Sequence, residues 1–305
     1  MKRFSHLSSD GSTTLAAYCT ACESPVAMVQ ISHGMCENFS RYEAFAKFLS
    51  ENGFLVFGHD HLGHGASAAT PDDLGFISHR YGAAHLVDDV HSLCRRMKEE
   101  HPSLPVILLG HSMGSFVARA VLEKYPDTYT AAIIMGTAGP DMPTAAGKLL
   151  AHLVIALRGE RYRSRLLRSI SFAGYTKRCG KDCDPNAWLT RDPAVVARYN
   201  AEPLCGFVFT ARAYSDLFTL LGGVSRRAWA EKIRRDLPLL LVSGEEDPVG
   251  GWGKGVKKIA ERLKHAGVQD LTLSLYPGMR HEILNELSYE TVWSDLLQWM
   301  KRAVM

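Results

Sequence analysis

Residues Gly110-His111-Ser112-Met113-Gly114 constrain this chain more than any other five. They close an apolar run, Val106-Ile107-Leu108-Leu109, and open a helical pattern from Ser115 to Tyr125, which Pro126 ends. A strand running through a tight turn straight into a helix is the context of a G-x-S-x-G nucleophile elbow. The flanking glycines keep side chains away from a strained serine. The turn lifts the Ser112 hydroxyl above the strand ends. An unactivated serine is a poor nucleophile, so the chain must also supply a base.

The rest of the pattern agrees with a sheet of that kind. Lys2 to Ser8 and Thr13 to Cys19 flank the turn sequence Ser9-Asp10-Gly11 and read as a hairpin. Strand candidates follow at Val26 to Ser32, Phe54 to Phe57, Val106 to Leu109 and Ala131 to Met135. Ser40-Arg41-Tyr42-Glu43 has capping-box spacing before a helical stripe of Tyr42, Phe45, Ala46 and Leu49, with Gly53 placed to stop it. Leu86, Val90, Leu93 and Met97 form the next stripe. The alternation resumes with a strand at Leu237 to Val242, a helix at Val256 to Ala266, a strand at Leu271 to Tyr276 and a last helix through Val292, Leu296 and Trp299. Strands alternating with helices predict an α/β fold, a mostly parallel central sheet with helices on both faces.

Between the two halves the pattern is helical, aromatic and basic. From Pro140 to Asp236 there are 17 Lys and Arg against 9 Asp and Glu, a net of +8, while the remainder carries 18 against 23, a net of −5. That shift predicts an inserted helical cap over residues 137–236, within a core formed by residues 1–136 and 237–305. No window is apolar enough to span a bilayer, and Met1-Lys2-Arg3-Phe4-Ser5-His6 is not followed by an apolar run. The seven scattered cysteines then read as reduced thiols, and the expectation is a cytoplasmic protein.

In an α/β-hydrolase the acid and then the histidine follow the serine, each on a loop after a strand. Asp247 stands in Ser243-Gly244-Glu245-Glu246-Asp247-Pro248-Val249, directly after Leu239 to Val242. His281 stands in Pro277-Gly278-Met279-Arg280-His281-Glu282, directly after the strand ending at Tyr276. Both fall at the sheet edge where doubly wound folds place ligands. Glu245 and Glu246 compete for the acid, and His111 and His265 are weaker competitors for the base. The oxyanion needs two backbone N–H donors. Met113, after the nucleophile, is one candidate; Met35, in Ser32-His33-Gly34-Met35, is the other, with Gly34 allowing close approach.

These segments together resemble a known family. His33-Gly34-Met35-Cys36-Glu37, Asp60-His61-Leu62-Gly63-His64-Gly65-Ala66-Ser67, Gly110 to Gly114, Asp247-Pro248-Val249 and Arg280-His281-Glu282 are similar to the successive motifs of the monoacylglycerol lipase/lysophospholipase group of α/β-hydrolases. Asp192-Pro193 through Pro203-Leu204-Cys205-Gly206-Phe207 resembles, more loosely, the cap of bacterial members. The resemblance runs nearly the full chain. It implies serine hydrolysis of single-chain lipid esters through a Ser112, Asp247 and His281 triad and an acyl-enzyme, with Met35 and Met113 as oxyanion donors and without a cofactor or metal. Met35 and Cys36 stand where relatives often carry smaller residues. The group is also labelled serine aminopeptidase, so a general carboxylesterase, thioesterase or peptidase is an alternative. From a different class, the alternative is a hydrolase-fold ligand receptor with vestigial turnover.

Two apolar clusters lie in the basic segment. One runs through Leu149, Leu150, Leu153, Val154, Ile155 and Leu157; the other contains Phe207, Phe209, Tyr214, Leu217, Phe218, Leu220 and Leu221. Between them stands an arginine run, Arg158, Arg161, Arg163, Arg165 and Arg168. The functional expectation is an acyl tunnel under a cap whose basic rim makes peripheral contact with anionic lipid surfaces. Its substrate-binding candidates are Gly34, His111, Leu153, Phe207, Phe209 and Phe218. His59-Asp60-His61-Leu62-Gly63-His64 lacks the aspartate of an H-x-H-x-D-H zinc signature and reads as a structural turn. No basic stripe interleaved with stacking aromatics points to nucleic acid.

Overall fold

A computed structural model describes residues 1–304. The turn at Ser9-Asp10-Gly11 joins β1 (Lys2–Leu7) to β2 (Thr14–Cys19) as an antiparallel hairpin. Asp10 holds this turn by accepting the Ser12 and Thr13 N–H groups, each at 2.7 Å. β3 (Ala27–Ser32), β4 (Phe54–His59), β5 (Val106–His111), β6 (Ala131–Met135), β7 (Leu239–Gly244) and β8 (Leu271–Tyr276) pair in parallel, and β2 joins them antiparallel to β4. The sheet order is β1-β2-β4-β3-β5-β6-β7-β8. β3 to β7 are buried along their whole length, which explains their near-continuous apolar sequences.

The helices are α1 (Glu43–Glu51), α2 (Gly82–Glu100), α3 (Met113–Lys124), α4 (Thr144–Arg158), α5 (Arg165–Ser171), α6 (Pro193–Ala201), α7 (Ala211–Val224), α8 (Arg227–Glu231), α9 (Lys254–His265) and α10 (Tyr289–Val304). Successive strand residues point to opposite faces, so two cores form. Met28, Leu55, Val106 and Leu108 pack with α2, α3, α7 and α9. Val29, Val56, Ile107 and Leu109 pack with α1 and α10 on the other side. α4 to α8 lie between β6 and β7, a stretch that adds no strand to the sheet among the described residues. The end of this stretch is fused to the core. The Trp229 Nε1–H donates to the Arg119 carbonyl (2.8 Å), and its ring stacks 4.3 Å from the buried Arg119 guanidinium.

The expected capping box at Ser40 does not form. Asn38 caps instead, accepting the Ser40 N–H at 3.1 Å, and Phe39–Tyr42 makes a 3₁₀ turn that leads into α1. The cause is Asp60, which takes the Phe39 N–H at 2.7 Å and starts the turn earlier than the spacing predicts.

The order places the site. β3 has β4 on one side and β5 on the other, so the winding direction reverses there, and a crevice opens beyond the strand ends. The register aligns those ends: Ser32 with Gly110, His111 with Met135, and Gly244 with Tyr276.

Candidate active site

The elbow follows from close packing. Ser112 sits at φ 54°, ψ −120°, an unfavourable conformation for a residue with a side chain. It is locked there from both sides. Its N–H donates to the Met135 carbonyl (3.0 Å), and its own carbonyl accepts the Ser115 N–H (2.9 Å) and hydroxyl (2.5 Å). A Cβ on Gly110 would strike the Gly114 carbonyl, and one on Gly114 would strike those of Ser32 and His33. The two glycines therefore let α3 start hard against the end of β3. Met113 opens α3, so its N–H has no intrahelical partner.

Asp247 and His281 meet behind the elbow. Asp247 is fully buried after β7, and its Oδ1 lies 3.0 Å from His281 Nδ1. The same carboxylate accepts the Ser243 hydroxyl (2.9 Å) and the Val249 N–H (2.9 Å). Burial opposes its charge, but the imidazole and these donors outweigh burial and hold the carboxyl below its ordinary range. An Asp247 acceptor assigns the Nδ1–H tautomer and leaves Nε2 unprotonated. His281 is also fixed by contacts to the helical stretch: the Trp188 ring lies tilted against its ring with centroids 5.0 Å apart, and the Glu282 N–H donates to the Leu189 carbonyl (2.7 Å). The half-buried Ser112 and His281 line one cavity; no hydrogen bond joins them among the described residues. Two of the competing residues are engaged elsewhere. Glu246 pairs with Arg178 at the surface, and His265 bonds its own helix at Glu261.

The loop after β3 is held at three points. His33 Nδ1–H donates to the Gly34 carbonyl (2.8 Å), while its Nε2 accepts the His61 N–H (2.9 Å). A trans peptide points its C=O and N–H in opposite directions, so this bond aims the Met35 N–H away from His33. That N–H has no partner among the described residues. The Gly34 N–H donates to Glu37 Oε1 (2.5 Å). Cys36 has φ +56°, and the segment from α6 onward grips it. Its carbonyl accepts the Gly206 N–H (2.9 Å) and the Tyr199 hydroxyl (3.1 Å), and its thiol donates to the Phe207 carbonyl (3.0 Å).

A buried ionic network ties these loops together. Arg41 donates to Glu37 Oε2 (2.5 Å) and forks onto both oxygens of Glu282 (2.7 and 2.6 Å). Tyr42 donates to Glu37 (2.8 Å), and His111 Nδ1 lies 3.4 Å from the same carboxylate. His111 Nε2 is 3.4 Å from the His281 carbonyl. Burial works against every charge here, and mutual attraction reverses it: Glu37 and Glu282 are held below the carboxylate range, and Glu37 raises His111. The motifs quoted above contain Glu37 and Glu282, yet sequence reasoning gave them no role and took Arg41 only as part of a capping segment. The available signal was the Glu37/Arg41 spacing of four beside Gly34, and a carboxylate directly after His281.

The cavity measures about 820 Å³. Gly34, Met35, His111, Met113, Phe207 and Phe218 line it with Ser112 and His281. Two expected substrate residues do not. Leu153 is 55% exposed, because α4 turns Ala151, Leu150 and Val154 inward and sets Leu149, Leu153 and Leu157 outward at a spacing of four. Phe209 is wholly buried behind the wall, packed against His64 (5.4 Å) and Tyr214 (5.8 Å).

Residues 23–288 match the family described as serine aminopeptidase, S33. The chain belongs to that family. The monoacylglycerol lipase of Mycolicibacterium smegmatis is 29% identical over 279 residues, covering 90% of this chain and 88% of that one. The monoglyceride lipase of Homo sapiens is 28% identical over 308 residues, covering 97% and 89%. A thermostable carboxyl esterase from Bacillus coagulans, solved in complex with glycerol, superposes with a TM-score of 0.94 at 26% identity, over 100% of this chain and 99% of that one. The chain is therefore a carboxylic-ester hydrolase with the α/β-hydrolase fold, in the monoacylglycerol lipase/lysophospholipase group.

Proposed function

We propose that this enzyme hydrolyses the esters of single-chain lipids, monoacylglycerols and lysophospholipids, with Ser112 as nucleophile, His281 as base and Asp247 as its orienting acid. The observation that carries this reading is the buried Asp247–His281 pair, 3.0 Å apart, whose imidazole lines the same cavity as Ser112. His281 Nε2 takes the Ser112 proton as Oγ attacks the ester carbonyl. The Met35 and Met113 N–H groups hold the oxyanion. The alcohol leaves with the proton from His281, and water, deprotonated by the same nitrogen, cleaves the acyl-enzyme to a fatty acid and free Ser112. Apolar lining from Phe116, Phe207, Leu217, Phe218 and Leu221 suits a single acyl chain. The monoacylglycerol and monoglyceride lipases among the relatives support that substrate class.

In this reading residues 137–236 act as the cap, and the outward leucines of α4 make peripheral contact with lipid surfaces. The deciding experiment is fatty-acid release from 1-monoacylglycerols of graded chain length by the enzyme and by Ser112→Ala. Turnover is expected to fall at least about 1,000-fold in the variant. Residual turnover within tenfold of the parent enzyme sinks the assignment.

A further inference from the structure

The arginine run of the helical stretch divides into residues that are used and residues that are not. Arg163 donates to three backbone carbonyls, those of Leu74, Val208 and Asp72, at 2.7 to 3.0 Å. Arg161 pairs with Asp73 (3.0 Å) and stacks 4.0 Å from the Phe76 ring. Arg158 stacks on Tyr162 at 4.4 Å. Arg165 and Arg168 are different: both are solvent-exposed, neither guanidinium has a carboxylate or hydrogen-bond partner among the described residues, and both line the Ser112 cavity. Ser171, three residues further along α5, lines it too, and its buried Oγ lacks a partner. Positions 165, 168 and 171 thus put two guanidinium groups and a hydroxyl on the cavity side of one helix.

The other charges of the cavity cannot neutralise them. Its two acids, Glu37 and Glu282, are buried and shared by Arg41. The field of Arg168 nevertheless extends inward. Burial pushes the Cys36 thiol and the Tyr214 hydroxyl up, and the Arg168 charge works against that rise at both. Cys36 follows Met35 in the loop after β3, and both line the cavity together with Arg165 and Arg168. Unpaired guanidinium forks with an adjacent hydroxyl match the oxygens of a phosphate better than a neutral glycerol.

We infer that Arg165, Arg168 and Ser171 form an anion subsite in the cavity wall, and that it selects single-chain glycerolipid esters bearing a phosphate over neutral monoacylglycerols. The inference rests on the ester-hydrolase reading above and narrows it. The phosphate belongs to the substrate molecule in the cavity. A bilayer headgroup would offer the same chemistry, so the test separates the two sources.

The test compares kcat/KM for 1-octanoylglycerol-3-phosphate and 1-octanoylglycerol, both as monomers in solution, for the enzyme, Arg165→Gln/Arg168→Gln and Arg165→Lys/Arg168→Lys. The readout is the ratio between the two substrates, which misfolding lowers for both alike. The parent enzyme is expected to favour the phosphate ester. The Gln pair is expected to cut the ratio about tenfold or more, and the Lys pair to keep part of it. Added salt is expected to shrink the parent preference. An unchanged ratio in the Gln pair overturns the subsite. So does a dependence on the arginines that shows only with vesicle-borne substrate, which assigns the contact to the bilayer. If neutral ester alone is turned over, the subsite fails while the hydrolase reading stands; if neither is, both fail.

Discussion

A serine hydroxyl becomes reactive only while its base keeps the correct nitrogen free, and in the proposed triad one carboxylate controls that. Asp247 accepts from His281 Nδ1 and is itself pinned by Ser243 and Val249, so it cannot rotate away. Asp247→Asn preserves shape but offers an amide where the imidazole needs an acceptor. It is expected to lower kcat about 10⁴-fold with little change in thermal stability, which ester turnover and thermal unfolding together would check. Cys36 poses the opposite problem, a side chain where the backbone favours glycine. At φ +56° it carries a conformational cost that glycine avoids, and its thiol returns only one weak bond to Phe207. Cys36→Gly is expected to gain about 0.5–1 kcal/mol in thermal unfolding, and Cys36→Val to lose more than that.

At the scale of elements, the site is a meeting of loops, and Arg41 joins two of them. One carboxylate, Glu37, belongs to the loop after β3; the other, Glu282, follows His281 after β8. Both acids have folded values below their ordinary 4.5, so the stability they contribute is fully present above that pH. It drains as pH falls through the lower folded values. In Arg41→Met the cation is gone, burial raises both acids, and the sign reverses: their contribution worsens as pH rises. The variant is expected to be several kcal/mol less stable than the parent at pH 7, with the gap narrowing towards pH 4. Unfolding midpoints measured across that range decide it, and a gap independent of pH rules out the electrostatic account.

The same scale shows why some features were legible in sequence and others were not. Local pattern sufficed for the buried strands β3 to β7, the elbow, and the loops of Asp247 and His281, because apolar runs and glycine spacing encode them directly. It failed where a distant residue decides. Asp60 moves the start of the first helix from Ser40 to Asn38, and Glu282 acquires its role from Arg41, 241 residues away. It failed also on the helical stretch, where composition showed leucines but not which way α4 would turn them.

At the scale of the whole molecule, that orientation of α4 bears on how the enzyme meets its substrate. Leu149, Leu153 and Leu157 are 72%, 55% and 72% exposed, and Leu166 and Ile170 of α5 add 55% and 50%. Five large apolar side chains open to water on adjoining helices are costly unless something covers them. In the proposed peripheral contact α4 lies in a lipid surface, with Arg158 and Lys148 able to meet anionic headgroups beside it. The leucines lie outside the Ser112 cavity. Replacing all three, Leu149→Ser, Leu153→Ser and Leu157→Ser, should therefore separate surface binding from chemistry. Partition into anionic vesicles is expected to fall at least about tenfold, given roughly 1.5–3 kcal/mol for full burial of each leucine. The KM for vesicle-borne monoacylglycerol should rise in step, while kcat/KM for a monomeric short-chain ester changes less than about twofold. Equal losses on both substrates would mean that the stripe supports the fold of the helical stretch, and unchanged partition would remove the proposed membrane contact altogether.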